Sequence, residues 1–173
     1  IDAIMGPFGN EDHATAGLHY VQEKLGKKLH VIDTPIINVD DTPQARAEAR
    51  QIIKHSAELG AEFCLIHHSS CEQLINKNKK TMDRLPDYLE MIREYGMKPG
   101  LSAHMPEVIV YSDLNEYDVE TYIQIFNCVG FLMQVEVESV IRVIHDARHP
   151  VMTIKPMAAG RITPYVGLTF SWN

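Results

Sequence analysis

No stretch of the 173-residue chain is apolar for long enough to span a membrane. No run has the pattern of a signal peptide. Basic residues cluster nowhere beyond Lys77-Asn78-Lys79-Lys80, and the formal charge is −7. A nucleic-acid partner is therefore not expected, because neutralising phosphates needs a positive face. The three cysteines (Cys64, Cys71, Cys128) have no paired spacing, which excludes a disulfide framework and fits a reducing cytoplasm. No Gly-x-Gly-x-x-Gly follows the first apolar run and no Walker-type loop is present, so the main cues for an open dinucleotide- or nucleotide-binding sheet are missing. Neither His-x-His nor His-Glu-x-x-His occurs, so any metal set would have to be assembled from distant residues.

What the chain has is alternation. Short apolar runs end near Met5, Asp33, Ile66, Ser102, Phe126 and Ile154, and a segment with helical spacing separates each from the next. Thr42 or Asp41 can cap a helix that opens with Pro43, carries Ala45, Ala49, Ile52, Ile53 and Ala57 on one side, and ends at Gly60. Leu85, Leu89 and Ile92 mark another helix, and Val137, Val140, Ile141 and Ile144 a further one. Strands alternating with amphipathic helices predict βαβ units on a parallel sheet. The expectation is an α/β fold of the (β/α)8 TIM-barrel type, with residues 1–173 forming one partial barrel domain of about strands two to seven. The chain begins inside an apolar run and ends at what reads as the opening of a helix, as a segment of a longer barrel would.

In a parallel barrel the active site lies at the C-terminal strand ends. Here those ends carry Asp33, His67-His68, Ser102-Ala103-His104, Gln124 and Lys155. A chain that repeats reactive side chains on one rim is expected to handle a small-molecule substrate.

The segments Phe63-Cys64-Leu65-Ile66-His67-His68, Glu94-Tyr95-Gly96, Gly100-Leu101-Ser102-Ala103-His104, Tyr122-Ile123-Gln124-Ile125-Phe126-Asn127 and Thr153-Ile154-Lys155-Pro156-Met157-Ala158-Ala159-Gly160-Arg161 occur in that order. Together they resemble successive units of the aldo-keto reductases. The resemblance implies an oxidoreductase using NADP(H). It places His67 as the catalytic histidine, Ser102 and Gln124 on the nicotinamide carboxamide, and Lys155, Ala159, Gly160 and Arg161 on the pyrophosphate loop. The family's proton-donating tyrosine is replaced by Phe8, which has no proton to give. Its lysine is replaced by Asp33, its asparagine by Ala103, and its aspartate has no match in register, Asp2 being one residue out. Carbonyl reduction needs a positioned acid, so the resemblance implies a divergent member with a degenerate tetrad, acting on or binding a small carbonyl or phosphorylated metabolite.

Across the readings the candidate catalytic residues are His67, Asp33, His104 and Lys155. The rim also supports a second reading, in which Asp33, His67 or His68, and His104 hold a divalent metal such as zinc or manganese in a hydrolase, lyase or isomerase. A third is a barrel without catalysis, in a regulatory or structural role. Homo-oligomerisation is compatible with all three. His67 and His68 are adjacent, so strict strand alternation would turn one inward and the other toward the helices.

Overall fold

The computed structural model describes residues 2–172. The sequence-predicted strands form at Ala3–Gly6 (β1), His30–Asp33 (β2), Phe63–Ile66 (β3), Lys98–Ala103 (β6), Thr121–Ile125 (β7) and Val151–Ile154 (β8). Helices Asp12–Leu25 (α1), Pro43–Glu58 (α2), His68–Cys71 (α3), Leu85–Glu94 (α4), Glu107–Leu114 (α5), Val137–Asp146 (α6) and Pro164–Trp172 (α7) follow them. A feature the periodicity did not predict lies between α3 and α4: a short antiparallel hairpin, Ile75–Asn76 (β4) with Thr81–Met82 (β5). Its Met82 N–H is fastened to the Tyr117 hydroxyl at 3.1 Å.

Six strands pair in the order β1-β2-β3-β6-β7-β8, every neighbour parallel. The order never reverses. A doubly wound sheet reverses at its switch point, so this topology is that of a curled half-barrel, an incomplete α/β barrel. Among the described residues β1 and β8 each lack a second neighbour, so these strands do not by themselves close the eight-stranded ring of a TIM barrel.

Strand alternation divides the sheet into two faces. Val31, Cys64, Ile66, Leu101, Ala103 and Tyr122 join a core with Ala49 and Ile53 of α2 and Leu89 and Ile92 of α4. The register Asp33↔Cys64, Ile66↔Leu101 and Ala103↔Gln124 places Asp33 and Gln124 on this helix-covered face as well. The inner face carries Met5, Ile32, Leu65, Gly100, Ser102 and Ile123.

Local chemistry explains the element ends. The Thr42 hydroxyl accepts the Ala45 N–H at 3.1 Å ahead of Pro43, capping α2. Thr42→Ala is expected to cost about 1 kcal/mol, read as a fall of about 2–4 °C in the thermal melt. Pro99 is tolerated in β6, although proline weakens the strand pattern. The carbonyl of Pro99 faces β7, where it accepts the Glu120 N–H at 2.8 Å, so its nitrogen points toward the chain before β7 begins. Two loops are clamped by asparagine amides. Asn10 donates to the Ile36 carbonyl (2.9 Å) and accepts the Ile36 N–H (2.7 Å). Asn127 does the same with Phe131, at 3.0 Å and 2.8 Å.

Candidate functional site

At the C-terminal end of the inner face is a cavity of about 140 Å³, lined by Met5, Gly6, Thr34, His67, His68, Ser102, His104, Ile123, Ile154 and Lys155. A larger groove of about 930 Å³ runs along α5 and α6, but it has no imidazole or thiol in its lining. Three imidazoles, His67, His68 and His104, line the smaller cavity at the rim.

His67 and His68 both face the cavity, against the alternation predicted for them. β3 ends at Ile66, and His67 then caps the short α3, its Nδ1 accepting the Ser69 N–H at 3.3 Å. The chain turns between the two rings instead of continuing as strand. Their ring centroids are 4.2 Å apart, and His68 stacks on His104 at 3.8 Å with an 18° tilt. Lys155 Nζ lies 3.0 Å from His104 Nε2. Lys155 is a non-glycine residue at φ 58°, in the left-handed region. That conformation is costly for a lysine and is common where a side chain must be aimed. Among the described residues no carboxylate pairs with Lys155; its partner is His104.

The electrostatics follow from this crowding. Burial, then His68, Lys155 and His67, push the His104 imidazole down to about 4. Burial, His68 and Lys155 lower His67. Burial and Lys155 lower His68, while Glu72 opposes them. All three rings are thus neutral near pH 7 beside one cationic side chain.

Glu72 was not singled out by sequence reasoning. One oxygen accepts the backbone N–H of His104 (2.6 Å) and of Met105 (2.9 Å); the other is 3.9 Å from His68 Nδ1. The available signal was its spacing of four residues from His68, which only matters once a helical turn is known to begin there. Gln124 grips His104 from the other side, its Nε2 donating to the His104 carbonyl at 3.3 Å.

Several predicted site residues lie elsewhere. Asp33 is fully buried on the helix face, where it accepts the Gly9 N–H at 3.0 Å. Burial raises its carboxyl, and hydrogen bonds from Ser56 and Gly9 oppose that rise. Among the described residues no three His, Cys, Asp or Glu side chains are placed to hold one metal ion, and the stacked planes of His68 and His104 do not aim at a common point. The set Asp33, His68 and His104 is therefore not assembled. Ser102 lines the cavity, but Gln124 points to the opposite face, so the two do not converge on one amide. Ala159 and Gly160 belong to a 3-10 turn at Ala158–Gly160. Arg161 lies over the Phe131 ring at 4.0 Å and donates to the Ala158 carbonyl. None of these three lines the cavity.

No protein-family model matches the chain, and no curated protein matches it. The aldo-keto-reductase likeness is thereby corrected. It rested on apolar strands ending in polar turns, which parallel α/β sheets produce in general, and Phe8, at the place of the family's tyrosine, is a core residue. Among solved structures, the TTHB071 protein from Thermus thermophilus, soaked with ZnCl2, is similar at a TM-score of 0.40 and 18% identity, over 68% of this chain and 53% of that one. The chain thus spans about half the length of that protein. At this distance nothing of fold or function is transferred. Among the described residues no helix is long and apolar enough to cross a membrane.

Proposed function

We propose that the rim is the acid–base site of an enzyme acting on a small anionic carbonyl or phosphorylated metabolite, carried by a sheet that is part of a (β/α)8 barrel. The observation that carries this is the Lys155 side chain, without a carboxylate partner among the described residues, set against three neutral imidazoles in one cavity. A cation without a counter-ion favours an anionic ligand. Neutral imidazoles can accept or donate a proton at physiological pH, as proton transfer beside a carbonyl requires. A cavity of about 140 Å³ has room for roughly four or five waters at about 30 Å³ each. That suits a ligand of a few carbons.

Inorganic phosphate is a direct probe of the anion site. Titration into the protein at pH 7, followed by calorimetry and by the imidazole NMR signals, is expected to show binding that Lys155→Met weakens at least tenfold, the loss of one charge-assisted contact. Equal affinity in the variant would remove the basis of the reading.

A further inference from the structure

We infer that two of the imidazoles divide the work: His68 is the general base, oriented by Glu72 as a positioning residue, and His67 donates a hydrogen bond to the substrate oxygen. This rests on the reading of the rim as an acid–base site and adds which ring does what.

The assignment follows from what each nitrogen already touches. A neutral imidazole has one donor and one acceptor nitrogen. His67 Nδ1 lies 2.8 Å from the Ser69 hydroxyl, which is able to donate to it, and accepts the Ser69 backbone N–H at 3.3 Å. An amide can only donate, so Nδ1 bears no proton and His67 presents Nε2–H. His104 Nε2 faces the Lys155 amine at 3.0 Å. An ammonium can only donate, so this lone pair is occupied and the proton of His104 is on Nδ1. His68 Nδ1 faces a Glu72 oxygen at 3.9 Å, an electrostatic contact longer than a hydrogen bond. A carboxylate can only accept, so the proton of His68 belongs on Nδ1, and its Nε2 keeps a free lone pair. A carboxylate behind an imidazole fixes the tautomer and raises basicity.

Glu72 is suited to that task. Its other oxygen is held by the N–H groups of His104 and Met105, so the carboxylate cannot swing away. The groups facing His68 are His67, His104, Lys155 and Glu72. Of these only Glu72 is anionic, and it acts on His68 against the lowering by burial and Lys155. His67 and His104 have no such support.

In the resulting step, His68 Nε2 takes the proton from the carbon beside the substrate carbonyl. The C–H electron pair becomes the C=C bond of the enolate, the C=O π pair moves to oxygen, and that oxygen receives the His67 Nε2–H hydrogen bond. His68 Nε2 then returns the proton to the same carbon as the C=O bond re-forms, an exchange at that carbon that needs no external oxidant or reductant.

Nitrogen NMR of the ¹⁵N-histidine-labelled chain tests this. At pH 7, His67 is expected to show the Nε2–H signature, and His68 and His104 the Nδ1–H signature. His68 is expected to titrate above the other two. Glu72→Gln keeps an acceptor for both amides while removing the charge. It should lower the His68 midpoint and mix its tautomers, leaving the His67 signature unchanged. A purely structural Glu72 would leave His68 unmoved in this variant, and that result overturns the assignment. So does a wild-type His68 that titrates below His104, which decides the matter even where Glu72→Gln fails to fold. The phosphate titration reports the anion site separately: a wild type that binds no phosphate while keeping this tautomer order counts against the proposed function, and one that binds phosphate with a different tautomer order counts against this division of labour.

Discussion

Gly100→Ala is expected to destabilise the protein by about 2–3 kcal/mol and to lower the melting temperature by roughly 5–10 °C. A Cβ at Gly100 would stand 2.6 Å from the Thr121 carbonyl oxygen and 2.6 Å from Leu65 Cγ. The first is backbone of a hydrogen-bonded neighbour strand. The second belongs to a fully buried side chain. Gly100 pairs with Leu65 on one side and Thr121 on the other, so β6 is squeezed where β3, β6 and β7 meet. Relief would require the strands to part, and that displacement would reach Ser102 and His104 on the same strand and its following turn. Thermal unfolding followed by circular dichroism measures the effect. Gly17→Ala, in α1 with nothing within 4 Å of the added methyl, is the control. It should stabilise by up to about 1 kcal/mol, the helix propensity of alanine over glycine. A Gly100→Ala protein that melts with the wild type would mean the sheet has slack that the interstrand contacts do not show.

Acidification is expected to unfold the protein earlier than its carboxylates alone would. An unfolded histidine binds its proton near the ordinary value of 6.5, whereas folded His104 binds one only near 4. Between those values the unfolded chain holds more protons, so stability falls as pH falls. His67 and His68 are lowered as well and act in the same direction. For His104 the loss is about 1–2 kcal/mol once solvent screening of a half-exposed ring is allowed for. Asp33 works the other way. Its carboxyl is raised, so its contribution is present at low pH and is lost as pH rises through its folded value. The melting temperature measured at pH 7, 6 and 5 should therefore drop in the wild type and drop less in His104→Gln. Parallel curves for the two proteins would show that the imidazole is not held neutral by the fold.

The strands were legible because each is a short apolar run between turn residues, and the helices because Ala45–Ala57 and Leu85–Ile92 keep helical spacing. The hairpin of Ile75–Asn76 with Thr81–Met82 was not legible. Two-residue strands in a lysine-rich segment have no periodicity, and the Tyr117 contact that fastens them is 35 residues away. The rim was legible as a list of strand-end residues but not as a site. Lys155, His104, His67 and His68 meet there. Asp33 and Gln124 end strands too, yet strand parity turns them to the helix side. Parity near a strand end depends on where the ladder stops, and propensity does not fix that to one residue. The same uncertainty concealed His68 and Glu72 as neighbours, because they face each other only if a helical turn starts at His67. The reductase resemblance failed for a related reason. Short polar turns after apolar strands follow from the architecture, and they say little about chemistry.

The Asn10 and Asn127 clamps bear on what a ligand must spend to bind. Asn10 ties its loop to the separate segment at Ile36, and Asn127 closes its own loop onto Phe131, each by two opposed hydrogen bonds. Loops held in this way lose their conformational freedom during folding and not when a ligand arrives, so less of the binding energy goes into ordering them. The clamped loops follow Gly6, Thr34 and Ile123, which line the cavity, and a rim continued by such loops selects by the shape it already has. It gives up the ability to wrap around ligands of different sizes, and in exchange even a ligand of few atoms can be held with useful affinity.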